Sequence, residues 1–186
     1  MKTGVKKGSI GVTLIAAIVY TAVSLIGQRE TTNNSGFADK SFQREMEQVG
    51  WHKYDSWCVY FCKLVWHRAI DDSAVNITAM KLITGNSQST LANFTRDRSG
   101  YFYLSDTAAP GSIVIWQQYQ NGQGLWRGHA GIVIEHYPAY FVTVEGNTNS
   151  SGGREGYMVA RKTRKYSRDV NNGLRLRKFI AIKKTV

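Results

Sequence analysis

Cysteine is scarce in this 186-residue chain, which holds only Cys58 and Cys62. Two cysteines four residues apart exclude the disulfide framework of a small secreted scaffold. They also exclude a finger-like zinc site, because no third and fourth ligand falls at the required spacing. Acid is scarce as well: 13 Asp and Glu stand against 24 Lys and Arg, for a formal net charge of +11. That excess makes a polyanion the natural neighbour, whether nucleic acid, anionic lipid or an acidic wall polymer. Residues 8–27 lack charge altogether. No internal repeat divides the chain, and its length allows one core rather than two.

The uncharged run follows Lys2, Lys6 and Lys7 and is long enough to cross a bilayer as a helix. Residues 1–27 therefore read as a transmembrane signal-anchor, with Ala22-Val23-Ser24 as a small-x-small cleavage site if the segment is removed. The lysines stay cytoplasmic, so everything after Gln28 lies outside the membrane, as a single-pass protein of the cell surface or, if viral, of the virion. Residues 28–40, with Thr31-Thr32-Asn33-Asn34-Ser35-Gly36 in a row, read as a polar linker. The folded domain is then 41–186, with no core position before it.

Within that domain, apolar spacing and caps predict helices over 41–49, 57–70, 73–85 and 87–95. After Ala109-Pro110-Gly111 the period changes to two. Strands are expected from Ile113, over 128–135, 140–145, 157–164 and 174–182, with Asn121-Gly122 as a hairpin tip and 147–156 as a loop. Helices first and an antiparallel sheet afterwards is an α+β plan.

Cys58 falls in the first turn of the second of these helices, where Asp55 or Ser56 is placed to cap. The positive end of a helix dipole favours thiolate, and thiolate is the nucleophile. Cys62 lies one turn deeper on the same face, with Phe61, Val65 and Ala69, and reads as core. Farther on, strands 128–135 and 140–145 form a hairpin only if Ile132 and Ile134 share a face with Val142 and Val144. The opposite face then carries His129, Gly131, Thr143, Glu145 and Asn147, with His129 across from Asn147 and Glu145 diagonal to it. Polar groups converging beside a glycine gap suit an imidazole held by one nitrogen while the other serves a nucleophile.

Trp57-Cys58 opening a helix, Ala109-Pro110-Gly111-Ser112-Ile113-Val114, Gly128-His129-Ala130-Gly131-Ile132-Val133 and Val144-Glu145-Gly146-Asn147-Thr148 occur in that order. From Phe42 onward the chain thereby resembles CHAP domains, the cysteine- and histidine-dependent amidohydrolase/peptidases of the papain-like superfamily. The resemblance implies a papain-like fold and a peptidoglycan hydrolase, amidase or endopeptidase, of cellular or phage origin, working without a cofactor or metal. By position Cys58 would be the nucleophile, His129 base and then acid, Glu145 its orienting partner and Asn147 an auxiliary polar group. Ser112 stands where such domains usually carry Asp, and no Gln precedes Cys58 at the usual oxyanion-hole place. The Cys58 amide plus a group from Tyr54 or Ser56 would take over that work.

Trp116, Tyr119 and Trp126, around the polar hairpin at Asn121-Gly122, are candidates to line a substrate groove, with sheet packing the competing role for Trp116. The basic stretch from Arg161 to Lys184 reads as a one-sided surface patch, with Arg175 and Arg177 on one strand face and Leu174 and Leu176 on the other. It would hold peptidoglycan or another anionic wall polymer, while the N-terminal helix holds the membrane. Two readings compete. One is a non-catalytic wall-binding module, against which the intact Cys58, His129 and Glu145 speak. The other is a basic, membrane-anchored nucleic-acid binder, which is disfavoured and would be indifferent to thiol alkylation.

Overall fold

The computed structural model describes residues 13–149 and 156–183. Five helices precede a six-stranded antiparallel sheet, so the domain is α+β. The helices are α1 (Leu14–Ser24), α2 (Lys40–Gln48), α3 (Cys58–Ala69), α4 (Ser73–Leu82) and α5 (Ser87–Arg96). The strands are β1 (Phe102–Ser105), β2 (Ile113–Gln120), β3 (Gln123–His136), β4 (Tyr140–Thr148), β5 (Met158–Lys165) and β6 (Gly173–Ile182), in sheet order β1-β6-β2-β3-β4-β5. Asp39, Asp72 and Asn86 start α2, α4 and α5 by accepting hydrogen bonds from first-turn amides. The β2–β3 hairpin turns at Asn121 and Gly122, both at positive φ (50° and 77°), as a two-residue turn between twisted strands requires. The short strand β1 was not anticipated.

The sheet is packed on both faces. Ile113, Ile115, Ala130, Ile132, Val144 and Ile180 meet the helices in the main core, while Val114, Trp116, Val133, Phe141, Leu176 and Phe179 form a smaller core on the other face. Leu176 and Ile180 thus lie on opposite faces although both numbers are even. The register slips where β6 passes Ile115 and Trp116 of β2, with Arg177 the extra residue, and such a bulge reverses the alternation.

The largest departure from the sequence reading lies at the N-terminus. No helix among the described residues is long and apolar enough to cross a membrane. Helix α1 has 11 residues and buries Ile18 and Ala22 in the main core. Residues 1–12 of the expected 1–27 segment lie outside the described residues. Apolar length permits a membrane helix without demanding one, and here the same side chains find a protein partner: a Cβ added to Gly111 would lie 3.6 Å from both Ile15 and Ile18.

The expected linker is equally built in. Gly27, Gln28 and Glu30 exchange backbone hydrogen bonds with Tyr157 and Val159 along β5, and Glu30 bridges back to Phe37. Phe37 is fully buried, its ring edge-on to Phe42, Trp51 and Trp57 at 4.8 to 5.1 Å. A polar composition hid one aromatic anchor, and the folded unit begins well before residue 41.

Candidate active site

Cys58 opens α3 as expected, but neither Asp55 nor Ser56 caps the helix. The N-cap residue is Trp57, and no side chain bonds the first-turn amides in the manner of a cap. Asp55 is engaged elsewhere, its carboxylate accepting from the His52 amide and its carbonyl from Trp51 Nε1. The start of α3 therefore presents amide hydrogens beside the Cys58 sulfur rather than spending them on a side chain. Cys58 is 7% exposed at the edge of a cavity, whereas Cys62 is fully buried in the core. Both are free thiols. Burial, and then the charge of Cys58 beside it, push the Cys62 thiol up, so Cys62 stays protonated and inert.

Two glycines let the helix and the two strands approach. A Cβ on Gly146 would stand 2.5 Å from Phe61 Cβ and 2.7 Å from the Trp57 ring, so α3 lies directly against β4. Ile132 pairs with Val144, and extending that register sets Gly131 opposite Glu145. A Cβ on Gly131 would be 2.7 Å from Glu145 Cγ. The glycine gap is the space through which Glu145 reaches its partners.

Glu145 is wholly buried and fully engaged. One carboxylate oxygen accepts from His129 Nε2 (2.9 Å) and Arg164 Nη2 (2.5 Å); the other accepts from Arg164 Nε (2.8 Å) and the Thr143 hydroxyl (2.6 Å). Burial alone would favour the neutral acid, yet the hydrogen bonds and charges of Arg164 and His129 hold its carboxyl well below the usual carboxylate range. Glu145 is thus a fixed negative charge, and its grip on Nε2 leaves Nδ1 of His129 for the Cys58 sulfur. Burial works against charge on the imidazole. The charge and hydrogen bond of Cys58, followed by those of Glu145, outweigh it and raise the His129 pKa to about 9. At neutral pH the ring is an imidazolium, positioned between a sulfur and a carboxylate.

Trp116 does not line the cavity. It is buried beneath the site, stacked at 5.8 Å on His129 with the Arg164 guanidinium 5.2 Å from its ring, and so keeps the imidazole in plane. Tyr119 also lies off the main cavity, under the guanidinium of Arg175 at 3.8 Å, and Tyr54 points to solvent. Trp126 does line the cavity, as does Ser56. Asn147 sits at positive φ (51°) and, in the amide orientation that satisfies both its ends, accepts from the Trp57 amide (3.2 Å) and donates to the Gly156 carbonyl (2.6 Å). It fastens β4 to the start of α3 and lines the same cavity as Cys58 and His129.

No protein-family model matches the chain, and no curated protein or solved structure gives a match.

The basic C-terminal stretch is not one patch. Arg161 pairs with Glu135 (2.6 Å), Arg168 and Lys178 with Asp106 (3.1 and 2.6 Å), and Arg177 donates to Gln117. For Arg161, Arg168 and Lys178 the partner is an acid distant in sequence, and so invisible in a count along the stretch. Arg164 is the functional residue missed by sequence reasoning. Its signal was parity: on β5 it follows Lys162, which pairs across from Thr143, and residues two apart share a face. Asn34 was missed too, since a supposed linker residue lines the cavity with Cys58.

Proposed function

We propose that the protein is a cysteine-dependent amide hydrolase acting on peptidoglycan, with Cys58 as nucleophile, His129 as acid and base and Glu145 as the group that orients His129. The observation that carries this reading is the buried Glu145, held ionised by Arg164 and gripping His129 Nε2, beside a nearly buried thiol that borders the cavity at an uncapped helix start. Such a chain of charges is costly for a structural role alone. The order of the sequence motifs, which resembles that of CHAP domains with their papain-like fold, supplies the substrate class.

In the reaction the Cys58 thiolate attacks the amide carbonyl, and the oxyanion is received by first-turn amides of α3, with the Ser56 side chain also on the cavity wall. The His129 imidazolium gives its proton to the leaving amine. Neutral His129 then takes a proton from water, hydroxide adds to the thioester, and collapse releases a carboxylic acid and the thiolate, with the imidazolium restored. Trp126 at the cavity rim offers a flat apolar surface to the substrate chain.

Purified peptidoglycan incubated with the protein should release new amine and carboxyl ends, and mass spectrometry of the fragments identifies the bond. Cys58→Ala or alkylation should abolish release, and Cys62→Ala should retain it at a stability cost of about 1–2 kcal/mol for the small cavity left. Release by Cys58→Ala at the wild-type rate would overturn the reading.

A further inference from the structure

The cavity beside Cys58 and His129 has a volume of about 700 Å³, and its charged lining among the described residues is of one sign. Among the described residues, Arg127, Lys162 and Arg164 face it, together with His129, and no Asp or Glu does. The charge of Arg164 is matched by Glu145. Arg127 and Lys162 are different: neither makes an ion pair among the described residues, although Arg68, Arg161, Arg168 and Lys178 all find acidic partners. Arg127 is two residues ahead of His129 on β3, and Lys162 sits across from Thr143 on β5. Lys162 is half-buried. The rest of the wall is uncharged, part polar through Asn34, Ser56, Asn86, Gln118 and Thr148 and part apolar through Val59, Trp126 and Leu174.

Two unmatched cations on the wall of one cleft raise its potential and concentrate anions there. The reaction proposed for the site needs a peptide-like amide, and the anion most readily carried by a peptide is a carboxylate. Resting on that reading of the site, we propose that Lys162 and Arg127 bind a free carboxylate of the substrate close to the scissile amide. The preferred substrate is then an acidic stem peptide in its free-acid form, and the same peptide with that carboxyl amidated is discriminated against. A planar carboxylate suits the guanidinium fork of Arg127 on β3, while the ammonium of Lys162 adds a point charge from β5, with β4 between the two strands.

The test measures binding apart from turnover. In the full-length Cys58→Ala protein, calorimetry with a soluble stem tripeptide should show the free acid binding about tenfold more tightly than its carboxamide at physiological salt, the factor expected of a partly shielded charge-assisted hydrogen bond. Lys162→Gln in that background should bring the ratio close to one, Lys162→Arg should restore most of it, and Arg127→Gln, at an exposed position, should lower it without risk to folding. Lys165→Gln, on the same strand but off the cavity, should leave the ratio as it was. A ratio of one in the parent, or an equal fall with Lys165→Gln, overturns the proposal. Turnover separates it from the reading beneath. Alkylation-sensitive cleavage with equal kcat/KM for acid and amide removes the carboxylate site and keeps the hydrolase, whereas selective binding without cleavage removes the hydrolase and keeps the site.

Discussion

Replacing Arg164 by Met removes a charge while keeping most of the packing under Trp116. Glu145 would then be left fully buried with its carboxylate ionised and two of its four hydrogen bonds gone. Removing one partner of a buried ion pair costs about 3–5 kcal/mol. Because the Arg164 side chain retains 29% exposure, the lower end applies, about 3 kcal/mol. In a domain of this size that corresponds to a fall in Tm of about 6–12 °C. The pH dependence has a definite sign. A carboxylate whose native pKa is depressed lends stability above the ordinary carboxylate range and loses it as pH falls through the depressed value. The deficit of Arg164→Met should therefore be full at pH 7 and narrow below about pH 4, where Glu145 becomes protonated in the variant and then in the parent. Urea titrations of both proteins at several pH values measure it. Adding Glu145→Gln to Arg164→Met should recover part of the loss, since no charge is then buried without a partner. A deficit under about 1 kcal/mol at neutral pH, or simple additivity of the two substitutions, would refute the idea that Arg164 neutralises a buried charge.

Activity on a small amide should hold through neutral pH and fall as pH rises through about 9, where His129 loses the proton it gives to the leaving amine; Glu145→Gln should move that fall to lower pH, because the carboxylate is one of the groups that raise the histidine. A pH-rate profile that is unchanged in Glu145→Gln would remove the link between them. Gly131→Ala should lower kcat by at least about tenfold through displacement of Glu145 from His129, and wild-type turnover in this variant would show that the gap is not required. Phe37→Ala should cost about 3–5 kcal/mol, the range for a fully buried aromatic, measured by urea unfolding; a loss under about 1 kcal/mol would mean that the N-terminal segment only rests on the domain.

What could be read in advance was whatever local pattern determines. The four helices after residue 40, the hairpin tip at Asn121-Gly122 and the face shared by His129, Gly131, Thr143 and Glu145 all follow from periodicity and turn chemistry, and the geometry agrees. Arg164 escaped because its partner is on a neighbouring strand 19 residues away and its own surroundings are full of cations. The bulge at Arg177 escaped because nothing in a strand's alternation announces an inserted residue before the partner strand is known. The start of α1 escaped for a different reason: hydrophobicity states that a segment avoids water, not whether lipid or protein replaces it.

The backbone of residues 27–30 covers the first residues of β5, the last strand of the sheet, along 157–159. An open strand edge is a template for pairing with another chain, and proteins that expose one tend to aggregate through it. Loss of this segment would therefore do more than weaken the domain. Molecules trimmed between α1 and α2 would each present a bare row of amides and carbonyls along 157–159, and any that stayed folded would be prone to meet edge to edge. The same peptide segment that completes the start of this edge within one molecule would thus also deny it to a neighbouring molecule.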